Sequence, residues 1–199
     1  MRVAIVYPPL KSEKGVPLLT QNRQFQWFSR PTYIFPVIPA TAATMVKRAG
    51  HEVLFLDGIA AGLTEEDFLE KLNGFNPDVV VIETKTPVVK RHWRWIEKHF
   101  SGDDSAKVVM VGDHVTALPE ESIGKVGVWA VIPGGDWDYG LLDFLSGDMH
   151  GGVYPFALRD SIKDAPWIDR DLVNWKLISK VYDKFNFPSW EKNERYAGG

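Results

Sequence analysis

At 199 residues, 45% hydrophobic and 25% charged, the chain can bury a full core, and its length fits one domain of about 150 residues plus an extension. A net charge of -3 gives no electrostatic case for nucleic acid or an anionic membrane, both of which demand concentrated Lys and Arg. No apolar run approaches the roughly 18 residues of a membrane helix, so the expected location is cytoplasmic. Zero cysteines exclude disulfides, thiolate-held zinc, iron-sulfur clusters and cysteine nucleophiles within these residues.

Arg2 to Tyr7 (RVAIVY) is a buried-strand pattern, and Pro8-Pro9 ends it because neither residue can donate a ladder hydrogen bond. Lys11 to Pro36 is long, polar and aromatic, with Trp27, Phe28, Tyr33 and Phe35, and is expected to form an ordered cap over the sheet edge. A helix from about Pro39 to Ala49 stops at Gly50, and Glu52 to Asp57 (EVLFLD) is the second strand. Thr64 caps a second helix whose apolar face is Phe68, Leu69 and Leu72, with Asn73-Gly74 as its end. Asp78 to Glu83 (DVVVIE) is the third strand, near-continuously apolar as strands covered on both faces are. A basic, Trp-bearing helix covers Pro87 to Phe100, and Ala106 to Val111 is the fourth strand. A short helix around Leu118 to Ile123 leads to a fifth strand within Val126 to Ile132. Asp136 to Leu145 is then a helix burying Tyr139, Leu141, Leu142 and Phe144.

Strands alternating with helices specify an α/β three-layer sandwich, because right-handed crossovers place a helix after each parallel strand. Five such units fit a flavodoxin-like (Rossmann-like) parallel sheet of order 2-1-3-4-5, with residues 1–148 as the domain and 149–199 as an irregular extension. Tyr154 to Leu158 is a possible extra strand. Tyr182, Phe185, Phe187, Trp190 and Tyr196 add aromatic surface suited to a partner.

In such sheets ligands bind above the C-terminal strand ends. The exits are Tyr7, Pro8, Pro9 and Leu10; Thr84, Lys85 and Thr86; Gly112, Asp113 and His114; and Pro133, Gly134 and Gly135. Pro and Gly let backbone approach a large flat ligand, while Thr84, Thr86 and Asp113 offer hydrogen bonds. Each loop alone reads more readily as a compact turn, and only their convergence at one edge raises the functional reading. A dinucleotide fingerprint is missing after the first strand, as are the acidic residues of a receiver domain and the hydroxyl run that would hold a flavin phosphate. His92 and His99, seven apart on one helix, read as surface residues. No catalytic triad or acid-base carboxylate pair is evident.

The ordered set YPP, FPVIPATAATMVKRAGHEVLFLDG, a strand-exit Thr, GDHVTALPE and PGGDWDYGLLDFL resembles the cobalamin-binding domain of class B radical S-adenosylmethionine enzymes. DAPWIDRDLVNW is similar to the linker after that domain. The resemblance covers about residues 1 to 175 and implies a corrinoid lying face-on over the strand ends. Tyr7 to Lys11 carries no histidine where the methionine synthase branch has its cobalt ligand, so the resemblance implies cobalamin held base-off without a protein His ligand. No metal ligand and no catalytic residue is expected in these residues. S-adenosylmethionine and a 4Fe-4S cluster would belong to a missing catalytic domain or partner subunit, since the cluster needs cysteines absent here. The expected role is corrinoid carriage for a radical, methyl-transfer reaction. The alternative is a cofactor-free regulatory or interaction domain whose strand-edge crevice is filled by Trp27 and Phe28.

Overall fold

Arg2 followed by five apolar or aromatic residues, closed by two prolines, gives strand β1 (Arg2–Tyr7), an interior strand of the sheet. The computed structural model describes residues 1–10, 12–19, 25–29, 35–102, 105–134, 137–155, 161, 163 and 165–177. After β1 come a small hairpin of β2 (Val16–Leu18) and β3 (Gln26–Phe28), helix α1 (Val37–Arg48), β4 (Glu52–Asp57) and α2 (Glu65–Phe75). Then follow β5 (Val79–Glu83), α3 (Val89–Phe100), β6 (Lys107–Val111), α4 (Asp113–Ala117), α5 (Pro119–Ile123), β7 (Val128–Ile132), α6 (Trp137–Ser146) and β8 (Gly152–Val153).

The main sheet runs β4-β1-β5-β6-β7-β8, parallel throughout, consistent with a Rossmann-like α/β fold. Alternation along each strand sorts side chains onto two faces. Val3, Ile5, Val79, Val81, Val109 and Val111 meet Ala42, Ala43 and Val46 of α1 and Leu141 and Phe144 of α6. Ala4, Val6, Val80, Ile82, Val108 and Met110 meet Phe68 and Leu72 of α2, Val89 and Ile96 of α3, and Val115 of α4. Both faces are covered, which is why the central strands need apolar residues at every position.

Several sequence expectations need correction. The sheet has six strands, not five: the expected order holds for five of them, and β8 adds an edge beyond β7. That strand is Gly152–Val153, ahead of the expected Tyr154 to Leu158, of which 156–158 lie outside the described residues. Helix α2 passes through Asn73-Gly74 to Phe75, because Asn76 takes the left-handed cap at φ 49°. The short helix expected around Leu118 to Ile123 is α5, and the strand-exit loop ahead of it is itself a short helix, α4. In α6 the buried residues include Trp137, Asp138 and Leu145, while Tyr139 and Leu142 are only partly buried. The expected aromatic tail, Tyr182 to Tyr196, lies outside the described residues, as do Lys11, Tyr33 and Gly135.

Later in the chain, residues near Asp169 lie against α1. Lys47 donates to Asp169 at 2.7 Å, the Asp169 N–H donates to Thr44 Oγ1 at 3.0 Å, and Val173 is buried. Val173, Asn174 and Leu177 then share a small cleft with Phe55, Asp57 and Ala60 at the end of β4. The stretch from Asp169 to Leu177 is therefore a strap running over α1 to the cleft at the end of β4.

Candidate functional site

The parallel register pairs Val6 with Ile82, so the next residues on the two strands, Tyr7 and Glu83, emerge side by side at the C-terminal edge. The Tyr7 hydroxyl donates to Glu83 Oε2. Glu83 Oε1 lies 3.9 Å from Lys85 Nζ, which donates to Asp113 Oδ2 at 2.9 Å. Tyr7, Glu83 and Lys85 are all buried, whereas the Asp113 side chain is 39% exposed. Burial pushes Glu83 up to about 7, overcoming the Tyr7 hydrogen bond and the Lys85 charge that act the other way. Burial and the Glu83 carboxylate together push Tyr7 well above its ordinary value, so its hydroxyl remains a donor. At the end of β4, Asp57 accepts from the N–H groups of Ile59 and Ala60, yet burial still lifts it to about 6.

The third-strand exit is held by two imidazoles. Thr84 Oγ1 pairs with His92 Nδ1 at 2.9 Å, and Thr86 Oγ1 pairs with His114 Nδ1 at 3.1 Å. Burial drives His92 down to about 4 and also lowers His114, so His92 is neutral at pH 7. His92 is fully buried, which corrects the surface reading: its helix turns that side to the sheet. His99 pairs with Glu65 at 2.9 Å. His114 is 2% exposed, with its ring against Trp93, so it props the loop from beneath.

Glycine is required at one turn here. Gly112 has φ +99°, and a Cβ there would stand 2.7 Å from the Thr84 carbonyl oxygen. This close approach brings the third and fourth exits together and lets the Thr84 N–H donate to Val111 O at 2.9 Å. Thr116 Oγ1 accepts from Gly134 N–H at 2.9 Å and ties in the fifth exit. Thr84, Lys85, Thr86, Gly112, Asp113, His114 and Gly134 thus form one connected cluster, with Pro133 next to Gly134; Gly135 lies outside the described residues.

The first exit behaves differently. Pro8 is buried, and Pro9 leans on Gly58, where a Cβ would meet its ring at 3.0 Å. Over Tyr7, Ile59 and Val88 sits the β2–β3 hairpin, which contributes Leu19, Val16, Phe25 and Trp27 to a small third cluster that includes Leu10. Phe25 packs edge-on to Trp27 at 5.3 Å, and the Arg91 guanidinium lies 5.4 Å from the Trp27 ring. Of the cap expected between Lys11 and Pro36, these two short strands and the residues beside them are the described part; 11, 20–24 and 30–34 lie outside the described residues. Phe28 is partly buried and does not join the third cluster. Sequence reasoning missed Glu83 and Asp57 as site residues. Their signal was a carboxylate closing an otherwise apolar strand, as in DVVVIE and EVLFLD.

A family model described as a B12 binding domain matches residues 31–136. An uncharacterized methyltransferase from Pyrococcus horikoshii is 34% identical over 85 residues, covering 43% of this chain and 18% of the relative. A putative beta-xylosidase from Xylanibacter ruminicola is 52% identical over 29 residues, 15% of this chain and 6% of that protein. The chain thus spans under a fifth of the length of either relative. No solved structure matches the chain.

Proposed function

The chain belongs to the B12 binding domain family, and on that premise we propose that it is a cobalamin-binding module serving a methyl-transfer reaction. The observation that carries this reading is the convergence of three strand exits into one polar cluster at the edge where parallel α/β sheets take ligands. A corrinoid is broad, flat and fringed with amides. Lys85, Thr86 and Asp113 supply donors and an acceptor for such a fringe, and Gly112 and Gly134 keep the backbone low enough for close approach. When bound, cobalamin would supply a cobalt-centred methyl carrier. This chain's own part is to hold the ring and to keep water from its lower side. Tyr7 to Leu10 offers no imidazole, and His114 is buried against Trp93, so binding is proposed to be base-off with no protein histidine on cobalt.

The radical S-adenosylmethionine chemistry, with its 4Fe-4S cluster, is proposed to reside in another domain or subunit, because clusters of that kind need cysteines and these 199 residues have none. A cytoplasmic setting accords with this; among the described residues no helix is long and apolar enough to cross a membrane. The direct test is reconstitution with hydroxocobalamin, desalting, and a visible spectrum. Retained corrinoid near one equivalent, with a base-off spectrum, supports the proposal; a colourless protein sinks it.

One observation favours a second reading, a cofactor-free interaction domain: Trp27 already packs in the cluster over Tyr7. That reading requires no corrinoid retention under any condition. A reading frame with a cysteine triad directly downstream of the gene would favour the first.

A further inference from the structure

His114 lies beneath the third strand exit with an oxygen opposite each of its ring nitrogens. Nδ1 is 3.1 Å from Thr86 Oγ1, while Nε2, buried and without a hydrogen-bond partner, faces Glu121 Oε2 across 3.6 Å. The ring is 2% exposed and stands edge-on to Trp93, which is itself tied by its Nε1–H to Ser122 Oγ at 3.1 Å. Turning the imidazole over would put carbon where each nitrogen now meets oxygen, so this orientation keeps both contacts. Burial lowers His114 despite the Glu121 charge, which leaves the ring neutral at pH 7.5 with one proton to place. A carboxylate only accepts, so a bare Nε2 would set a lone pair against negative charge; the proton belongs on Nε2. Nδ1 is then the acceptor, and the Thr86 hydroxyl directs its single proton at it.

The effect reaches the surface because Thr86 is exposed at the strand-exit edge while His114 is not. With its proton turned inward, Thr86 shows a ligand lone pairs only. Two neighbours do the same. The Asp113 carboxylate, 39% exposed, is an acceptor, and the exposed Thr116 donates its proton to Gly112 O at 2.9 Å while accepting from the Gly134 N–H. Ionised phosphates and carboxylates bring no donors to such an edge, whereas a primary amide brings two N–H groups. We propose that Glu121, His114 and Thr86 form a chain that fixes the direction of the Thr86 hydroxyl, so that this corner of the edge accepts hydrogen bonds and takes its ligand through amide N–H groups. His114 and Glu121 are positioning residues, acting through Thr86. The proposal rests on the cobalamin-binding reading and deepens it: the corrinoid's rim is recognised here by its N–H groups and not by its carbonyl oxygens. The parallel pair His92 and Thr84 is wholly buried, so it shapes the loop.

The Glu121 side chain is 55% exposed and separated from the ligand edge by two side chains, so it can be changed without altering the contact surface. In Glu121→Lys an ammonium opposite Nε2 favours a bare nitrogen there, moves the proton to Nδ1 and turns the Thr86 hydroxyl outward as a donor. Nitrogen NMR on the ligand-free protein at pH 7.5 should find Nε2 protonated and Nδ1 bare in the native chain, and the reverse in Glu121→Lys. A native ring protonated on Nδ1 overturns the proposal. Thr86→Val should weaken hydroxocobalamin retention about fivefold to tenfold, one neutral hydrogen bond read as affinity. Glu121→Lys should weaken it by a similar factor when Thr86 is present, and by less than about twofold when Thr86 is replaced by Val. An equal effect of Glu121→Lys with and without the Thr86 hydroxyl reports charge or local structure and refutes the chain. Among corrinoids with one rim amide hydrolysed to an acid, at least one should be held about tenfold less tightly than the parent by the native protein; equal retention of the whole set refutes the need for a donor. A native protein that holds no hydroxocobalamin yet carries its His114 proton on Nε2 rejects the cobalamin reading and not the direction of the hydroxyl.

Discussion

Replacing Glu83 by Gln should make the protein more stable, and by an amount that grows with pH. Glu83 is buried, hydrogen-bonded by Tyr7 and 3.9 Å from Lys85, yet its burial holds it at about 7 against an ordinary 4.5. A carboxyl raised in the folded state favours folding when protonated, so its stabilising share is complete below pH 4.5 and disappears as pH rises through 7. Above that range the native state carries a buried charge the unfolded chain would hold in water. The gap between the two values, at about 1.4 kcal/mol per pH unit, is about 3 kcal/mol by pH 8.5 and less than about 1 kcal/mol at pH 5. Gln keeps an oxygen to accept from Tyr7, and Lys85 keeps Asp113. Urea denaturation of both proteins at pH 5 and 8.5 should therefore show the variant's advantage growing by roughly 2 kcal/mol, or ~4–8 °C in Tm for a chain of this size. All other titrating groups are shared, so the difference between the two proteins isolates Glu83. A gap that stays flat between pH 5 and 8.5, or that widens toward acid, would refute the account of this network.

Lys85→Met should cost about 3 kcal/mol at pH 8, because Glu83 is left buried without its cation, and adding Glu83→Gln should recover most of that in a double-mutant cycle read by urea denaturation. Gly112→Ala should lose roughly 2–4 kcal/mol from its φ of +99° and the 2.7 Å approach to Thr84 O, measured by the same method, and should also weaken hydroxocobalamin retention. Imidazole NMR should find His92 neutral from pH 7.5 down to pH 5.5, with its Nδ1 resonance altered in Thr84→Val; protonation within that window contradicts its burial. Thr64→Ala should cost about 1 kcal/mol, since its hydroxyl accepts from Asp67 N–H at the start of α2.

The sheet was legible because its rules are local. RVAIVY, DVVVIE and KVVMV announce fully covered strands by having no polar face, and the helices between them fix handedness and order. β8 was missed because two residues, Gly152 and Val153, carry no periodicity; only the neighbouring Ala130 and Val131 make them a strand. The strand exits could be read as a group, since topology brings them to one edge. Their partners could not. Tyr7 lies 76 positions from Glu83 and Thr84 lies eight from His92, and nothing in the residue order of a helix says which imidazole turns inward. The burial of His92 follows from the side of α3 that carries Val89 and Ile96, which only the packed structure reveals.

The strap over α1 has a consequence for how this unit can be used. By crossing α1 to the cleft beside Asp57, it delivers the chain at Leu177 to the same end of the sheet as the strand exits. On the proposed reading, a catalytic body joined beyond that point would set out from the strand-exit end of the sheet instead of from its far side. For any tethered partner, a short linker raises local concentration to the order of millimolar, so its attachment near this end would favour encounter at the strand exits.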